Sequence, residues 1–273
     1  MLKDKTEIFI NFWKPLIEKE MMLHVDSLDG VSVLKDAVSY ALFSGGKRVR
    51  PLFYLAVFES IAPKNKGLKS DASAHGILSI ACSFEFFHAF TLIQDDLPCM
   101  DNDVLRRGKP SLWKKFGEST ALLASNVLLG MSYKSGTGNS FPFSEMLMPD
   151  SVIGGQALDL GLERGITQER INYMKTAHFF EKIARAAEFE ARMIWGTDAF
   201  DENRFEHLFK FAGRFGAYFQ YRDDYFDFQD NLKKNQSKIK MEAAMAVQKD
   251  LLRKMDLEDS VLGGFASWLI DKE

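Results

Sequence analysis

The chain has 273 residues, of which 46% are hydrophobic, so it is long enough to bury a large core. Its 35 basic and 38 acidic residues give a net charge of −3, whereas nucleic-acid-binding proteins usually carry a strongly basic signature. Two cysteines, Cys82 and Cys99, are too few for a disulfide framework or a zinc site. The amino terminus lacks the apolar core of a signal peptide, and no uninterrupted apolar run approaches the length of a membrane span. We therefore expect a cytoplasmic protein that binds no nucleic acid and has no membrane span.

Turn signals divide the first part of the chain into helices. Residues 26–30 separate the first two predicted helices, and Ser44-Gly45-Gly46 ends the second. Pro51 then lies near the first turn of a third helix, a position that tolerates proline. Further loops are predicted at three polar, glycine-containing stretches: 63–67, 107–110 and 135–140.

The second half of the chain has the pattern of long helices. All seven prolines lie between Pro15 and Pro149, and apolar residues recur afterwards every three or four positions. The lysine-rich segment 231–240 is expected to be a solvated, mobile stretch. Because no convincing period-two alternation is found, the sequence predicts an all-α fold, a helical bundle that forms one domain over residues 1–273.

Two acidic clusters lie within apolar, aromatic-rich segments. The first is Asp95–Asp101 (DDLPCMD) and the second is Asp223–Asp227 (DDYFD). Uncompensated carboxylates are costly in such surroundings. Mg²⁺ would offset that cost, because hard cations bind carboxylate oxygens and often bridge to substrate phosphates. Two clusters facing one cavity could hold several metal ions on one diphosphate, which suits a reaction in which diphosphate departs and a carbocation remains.

The two clusters differ in their expected geometry. Asp223 and Asp227 are four residues apart and share one face of a helix, with Asp224 beside them. A solvated helix end is the alternative, and the aromatic neighbours argue against it. In the first cluster, Pro98 disfavours helical geometry at the preceding residue, so the helix should end or distort there and return Asp101 toward Asp95. Asp103, in the same bend, is either a metal contact or a turn-capping residue.

Basic residues accompany the first cluster. Lys47 and Arg50 are three residues apart and could converge on one anion. The pair Arg106-Arg107 directly follows the acidic run, and guanidinium groups bind phosphate oxygens bidentately. His88 precedes Asp95 by about two helical turns and could share its face, although a single histidine is more often structural.

Taken in chain order, these motifs resemble the trans-prenyl diphosphate synthase family, most closely its bacterial farnesyl diphosphate synthases. The matching stretches are GGKRVRP at Gly45–Pro51, DDLPCMDNDVLRRGKP at Asp95–Pro110, GGQALDL at Gly154–Leu160, Lys175-Thr176, and Phe219-Gln220 followed by DDYFD. The resemblance implies an isoprenoid-synthase fold of mostly antiparallel helices around a deep central cavity, usually as a homodimer.

The resemblance also implies a reaction. Isopentenyl diphosphate condenses head to tail with an allylic diphosphate, dimethylallyl or geranyl, to give farnesyl diphosphate and inorganic diphosphate. Three Mg²⁺ ions and basic side chains bind the allylic substrate, its ionisation leaves an allylic cation, and the double bond of isopentenyl diphosphate attacks before a proton is lost.

Residue roles follow from the same resemblance. The magnesium ligands would be Asp95, Asp101 and Asp223, supported by Asp96, Asp224 and Asp227. The allylic substrate would contact Arg106, Lys175, Thr176 and Gln220, and isopentenyl diphosphate would contact Lys47, Arg50, His88 and Arg107. The catalytic set is Asp95, Asp101, Asp223 and Lys175. Phe90 would close the cavity floor and stop chain growth at farnesyl length.

Departures from the family pattern keep other functions open. Segment 126–153 looks shorter and more irregular than its counterpart, and 228–240 lacks the usual glycine-lysine loop, for which Lys233, Lys234 or Lys238 would have to substitute. Val104 and Gln94 replace a common aspartate and a frequent histidine. A lid over the diphosphate would then be incomplete. One alternative is a geranylgeranyl or geranyl diphosphate synthase, and another is a non-catalytic subunit of a heteromeric synthase. A third is a class I terpene cyclase, but the second acidic cluster and the basic motif argue against a cyclase.

Overall fold

A computed structural model describes residues 2–63, 74–136, 143–196, 201–227 and 229–271. Almost all of this part of the chain is helical, which confirms the predicted all-α class. The helices are α1 (Leu2–Asp26), α2 (Ser32–Phe43), α3 (Val49–Ile61), α4 (Ala74–Asp96), α5 (Leu112–Phe116), α6 (Glu118–Ser135), α7 (Val152–Asp159), α8 (Gln168–Asn172), α9 (His178–Trp195), α10 (Glu202–Asp227), α11 (Asn231–Lys254) and α12 (Val261–Asp271). A 3-10 helix spans Phe143–Leu147, and a π-helical turn spans Tyr173–Ala177.

The helices form two compact units, each assembled from separated stretches of the chain. The α4 unit comprises Ile10–Leu55 and Lys69–Asn139, and the α10 unit comprises Met1–Phe9, Ala56–Leu68 and Ser140–Glu273. The first acidic cluster and the GGKRVRP segment belong to the α4 unit. The second acidic cluster and Lys175-Thr176 belong to the α10 unit. A single domain over residues 1–273 stays a prediction.

The central helix of the α4 unit is α4, which packs against α6 and α2. Its phenylalanines Phe84, Phe86 and Phe87 are fully buried. Among the described residues, Gly76–Asp96 is also the one helix long and apolar enough to cross a membrane by length and composition. Because 72% of its most apolar stretch is buried inside the protein, as in any core helix, this is weak evidence for a membrane span.

The α10 unit is organised around α10, which packs against α11 and α9. The predicted apolar face of α9 is confirmed, since Phe179, Ile183 and Ala187 are buried. The segment 231–240 is mostly exposed, as expected, and it forms the first turns of α11; its mobility stays a prediction. Its lysines and glutamine favour a helix, and the Asp230 side chain caps it by accepting hydrogen bonds from the backbone amides of Leu232 and Lys233.

The predicted turns are largely confirmed where the structure describes them. Helix α1 ends at Asp26, α2 ends at Phe43, and Pro51 is the third residue of α3. Of segment 126–153, expected to be irregular, residues 126–135 belong to the regular helix α6, whereas residues 143–151 form a 3-10 helix followed by bends and turns. Most of the loops predicted at 63–67 and 135–140 lies outside the described residues.

One element was missed from the sequence. Strands β1 (Leu105–Arg106) and β2 (Lys109–Pro110) pair as a minimal antiparallel hairpin. Its two loop residues, Arg107 and Gly108, have φ angles of 55° and 73°, as a type I′ turn requires. Strands of two residues are too short to produce a visible alternation in the sequence.

Candidate active site

The first acidic cluster lies where α4 ends. The helix stops at Asp96, and after the following turn the Asp101 amide donates a hydrogen bond to the Asp95 carbonyl at 2.9 Å. The Met100 amide also donates to the Leu97 carbonyl at 2.8 Å. The prediction that Pro98 ends the helix and returns Asp101 toward Asp95 is therefore confirmed.

Asp96 is engaged by an arginine. Its side chain is 3% exposed, and the Arg106 Nε donates to its two carboxylate oxygens at 2.9 and 3.3 Å. The Arg106 Nη2 donates to the same carboxylate and lies 3.4 Å from Asp103. Burial raises the pKa of Asp96, and the Arg106 hydrogen bond and charge oppose that rise. In this arrangement Asp96 orients Arg106, and its role as a metal ligand stays a prediction.

The neighbouring Arg107 joins the hairpin to the glycine pair of the GGKRVRP segment. Its Nη1 donates a hydrogen bond to the Gly45 carbonyl. Gly46 has a φ of 137°, and a Cβ there would lie 2.8 Å from the Arg107 Nη1. The backbone conformation thus favours glycine at position 46, and the missing side chain leaves room for the Arg107 guanidinium.

Arg48 and Glu85 line the same site, and sequence reasoning missed both. Their side chains are 3% and 6% exposed, and the Arg48 Nη1 lies 3.2 Å from the Glu85 carboxylate. The Arg48 Nη2 donates to the Leu42 carbonyl at 2.7 Å, and its Nε lies 3.5 Å from Glu18. Spacing could have identified Glu85, because it precedes His88 by three residues and therefore shares its face of the helix.

These side chains surround a cavity of about 550 Å³, counting its open mouth. Its apolar lining includes Ala41, Leu42, Ala89, Leu92, Ile93 and Leu112. Its polar lining includes Arg48, Glu85, His88, Asp96, Arg106 and Arg107. Arg48 is paired with Glu85 and Arg106 with Asp96, so that together with Arg107 the polar side of the cavity keeps a net positive charge. A positive side facing an apolar wall suits a ligand with an anionic head and a short hydrocarbon tail.

His88 stands among these arginines on α4. Burial lowers the pKa of its imidazole well below the ordinary value, and the charges of Arg50, Arg107, Arg106 and Arg48 lower it further. The ring is therefore neutral near pH 7 and can offer one N–H donor to an anion without adding charge.

The remaining predicted residues of the α4 unit are also located. Lys47 is exposed on the loop between α2 and α3, and Arg50 is buried in the first turn of α3. Phe90 is 3% exposed and packs against Phe87, with ring centroids 5.5 Å apart. The substrate contacts of Lys47 and Arg50 and the role of Phe90 in chain length stay predictions.

In the α10 unit, the π-helical turn carries Lys175 and Thr176. The Lys175 Nζ lies 2.5 Å from Asp159, the aspartate of the GGQALDL segment. The Thr176 hydroxyl donates to the Gln220 Oε1 at 2.8 Å, and the Gln220 Nε2 donates to Asp224 at 2.9 Å. The structure thus connects Thr176 and Gln220, both predicted substrate contacts, to the second acidic cluster.

The second acidic cluster lies at the end of α10. Asp223 and Asp224 are partly exposed, and the Arg222 Nη1 lies 4.0 Å from the Asp223 carboxylate. The backbone of Asp227 is helical, and its side chain lies outside what the structure describes. Whether Asp223 meets Asp95 at one diphosphate stays a prediction.

A lysine that the sequence did not single out lies near this cluster. Lys240, on α11, forms an ion pair with Glu169 at 2.8 Å and lies 5.5 Å from the ring centre of Tyr221. The Glu169 hydrogen bond raises the pKa of Lys240, with a smaller contribution from the charge of Asp224. Nothing in the spacing along the sequence distinguishes this lysine from its neighbours on α11.

The donor groups fit magnesium, although the described residues include no cluster of three or more His, Cys, Asp or Glu side chains placed to hold a metal ion. Mg²⁺ commonly keeps water ligands and uses only one or two carboxylates together with substrate phosphates. Asp95 and Asp101 in one unit, and Asp223 and Asp224 in the other, supply carboxylates of that kind. A bound Mg²⁺ would stabilise negative charge developing on a leaving diphosphate.

Comparison with known proteins identifies the family. The model of the polyprenyl synthetase family matches residues 31–243. The farnesyl diphosphate synthase of Geobacillus stearothermophilus is 33% identical over 243 residues, covering 84% of this chain and 77% of that protein. A putative chloroplastic geranylgeranyl pyrophosphate synthase of Arabidopsis thaliana is 37% identical over 211 residues, covering 71% and 55% of the two chains.

A solved structure shares the fold. The crystal structure of a geranyltransferase from Legionella pneumophila superposes with a TM-score of 0.79 at 24% identity and covers 98% of both chains. The helical isoprenoid-synthase fold expected from the motifs is therefore confirmed. The chain belongs to the polyprenyl synthetase family and is a prenyltransferase.

Proposed function

We propose that the protein catalyses the Mg²⁺-dependent, head-to-tail condensation of isopentenyl diphosphate with dimethylallyl or geranyl diphosphate, releasing farnesyl diphosphate and inorganic diphosphate. The observation that carries the proposal is the cavity of the α4 unit, where Arg48, Arg106 and Arg107 stand beside an apolar wall. Isopentenyl diphosphate has the matching form, a dianionic or trianionic head on a short branched hydrocarbon.

Each unit contributes a different part of the chemistry. In the α4 unit, Arg107 and neutral His88 would hold the head of isopentenyl diphosphate while the apolar wall orients its double bond. In the α10 unit, Lys175 and Thr176 would hold the allylic diphosphate. These donors are fixed before the allylic bond breaks, so they stabilise the departing charge without reorganising. Water must be excluded, because it would capture the allylic cation.

Farnesyl diphosphate is the proposed product because Phe90 is buried on α4, five residues before the first aspartate. A geranylgeranyl product is the second candidate. It is supported by the Arabidopsis relative, whose name gives that product and which is 37% identical over the matched region. The reaction class is the same for both, and only the depth of the hydrocarbon pocket would differ.

We also propose that the enzyme acts as a cytoplasmic homodimer with three Mg²⁺ ions per active site. Support for the dimer comes from α6, which exposes Leu122 and Leu123 at 46% and 52%. Light scattering should give twice the chain mass of 31.1 kDa. A monomer at micromolar concentration would contradict this part of the proposal.

The test is a turnover assay with labelled isopentenyl diphosphate and each allylic primer, with Mg²⁺ or with EDTA. Farnesyl diphosphate should form only with Mg²⁺. Arg107→Gln should lower kcat/KM for isopentenyl diphosphate about tenfold or more, as expected for a lost charged hydrogen bond. Lys249→Gln, on the exposed face of α11, is the matched control and should change nothing.

Each failure of this assay has a distinct meaning. Absence of product from the protein alone, with activity restored by a partner synthase, would identify a non-catalytic subunit. Release of a hydrocarbon from an allylic diphosphate without isopentenyl diphosphate would identify a cyclase. Either result would overturn the proposed function.

A further inference from the structure

The π-helical turn at Tyr173–Ala177 is an unusual element placed at the proposed allylic site. A π-turn inserts an extra residue into a helix and is often found where function requires a side chain to be redirected. Lys175 and Thr176, the two groups expected to bind the allylic diphosphate, both lie inside it. The conformation of this turn therefore determines where their side chains point.

A partly buried hydrogen bond ties the turn to α9. The Tyr173 hydroxyl donates to the Glu181 Oε2 at 2.8 Å, linking the first residue of the π-turn to the first turn of α9. The other carboxylate oxygen lies against Gly213 of α10, where a Cβ would come within 2.2 Å of it. The absence of a side chain at Gly213 leaves room for the Glu181 carboxylate between the π-turn and α10.

Two more glycines allow the neighbouring helices to approach the backbone of the turn closely. A Cβ at Gly155 of α7 would lie 2.7 Å from the Lys175 amide nitrogen, and a Cβ at Gly216 of α10 would lie 2.6 Å from the Ala177 Cα. The GGQALDL segment thus packs closely against the turn at Gly155. The π-turn thus has α7 on one side and α10 on another, with Glu181 fixing its beginning.

The position of the π-turn sets the orientation of the groups proposed to bind the diphosphate. Lys175 reaches Asp159 of α7, and Thr176 reaches Gln220 of α10, which in turn orients Asp224. A shift of the π-turn by a fraction of an ångström would move both ends of this network together.

We propose that Tyr173 and Glu181 are positioning residues for the allylic diphosphate, because their hydrogen bond fixes the π-turn that presents Lys175 and Thr176. This inference rests on the proposed function. Burial, followed by the Glu181 hydrogen bond, raises the pKa of Tyr173 to about 12. The tyrosine hydroxyl accordingly keeps its proton, and with it the hydrogen bond, throughout the neutral range.

The experiment measures binding, so it does not depend on turnover. The affinity of geranyl thiolodiphosphate, an unreactive allylic analogue, and that of isopentenyl diphosphate are measured by calorimetry with Mg²⁺. Tyr173→Phe should weaken binding of the allylic analogue about tenfold and leave binding of isopentenyl diphosphate within twofold. Glu181→Leu should do the same, whereas Glu181→Gln, whose amide oxygen can still accept the tyrosine hydrogen bond, should recover most of the affinity.

The control is Glu188→Gln, which removes an ionic contact with Arg192 on the same helix and should leave both affinities unchanged. If Tyr173→Phe binds the allylic analogue like the wild type, or loses both ligands in parallel with a fall in Tm, the pair has no positioning role. In that case the proposed function still stands. If the wild-type protein binds neither ligand, the proposed function fails and the inference fails with it.

Discussion

Replacing Glu85 with glutamine should destabilise the α4 unit by leaving the charge of Arg48 buried without its carboxylate. Both side chains are almost fully enclosed, and the Arg48 guanidinium sits 3.2 Å from the Glu85 oxygen. Arg48 also has a φ of 55°, an unfavourable backbone conformation for a residue with a side chain. The surrounding contacts must therefore hold it in place.

The expected size of the effect follows from the burial of the pair. Removing one partner of a buried ion pair typically costs about 3–5 kcal/mol. Arg48 keeps the Leu42 carbonyl and the more distant Glu18 carboxylate, which places Glu85→Gln near the lower end, at about 3 kcal/mol. For a protein of this size the corresponding fall in Tm is about 5–10 °C.

The assay is urea unfolding followed by far-UV circular dichroism, with Glu18→Gln as the matched control. Glu18 faces the same guanidinium but is 42% exposed, so its replacement should cost less than about 1 kcal/mol. The double variant Arg48→Met, Glu85→Leu should regain part of the loss, because it leaves no buried charge.

Equal stability of Glu85→Gln and Glu18→Gln would refute this reasoning. Such a result would mean that water or a conformational change compensates the arginine, and that the pair does not hold the GGKRVRP loop. A double variant less stable than Glu85→Gln would also contradict it.

Three further outcomes are expected. Because burial lowers the pKa of His88 in the folded protein, the unfolded chain gains a proton first as the pH falls below about 6.5, and the unfolding free energy should fall with it. His88→Gln should lessen this fall between about pH 6.5 and 5; parallel curves for variant and wild type would contradict this. Phe90→Ala should shift products toward geranylgeranyl length or beyond, and an unchanged product distribution would remove Phe90 from that role. Asp230→Ala should speed amide exchange at Leu232 and Lys233, which the Asp230 side chain now caps, whereas Asp230→Asn should not.

Much of the local structure was predictable because proline and glycine act locally. Pro98 ends α4 whatever surrounds it, and the Asp101 amide then returns to the Asp95 carbonyl. The apolar spacing of Phe179, Ile183 and Ala187 likewise fixes which face of α9 is buried. In each case the local structure is determined by a few residues that are neighbours in the sequence.

The contacts within each unit were not predictable, because they join residues far apart in the chain. Arg48 meets Glu85 across 37 positions, and Thr176 meets Gln220 across 44. No spacing rule relates such residues, so the sequence does not show which distant side chain pairs with a glutamate on an apolar helix. The helical state of 231–240 was missed for the opposite reason, since its lysines favour a helix as readily as they favour solvent.

The most direct test of the account is a double-mutant cycle on Asp95 and Asp223, read as Mg²⁺-dependent binding of geranyl thiolodiphosphate. If the two acidic clusters act on one diphosphate, Asp95→Asn and Asp223→Asn should each weaken binding, and their combined effect should differ from the sum by about 1 kcal/mol or more. Effects that add within about 0.5 kcal/mol, or a single variant that binds like the wild type, would contradict a shared site.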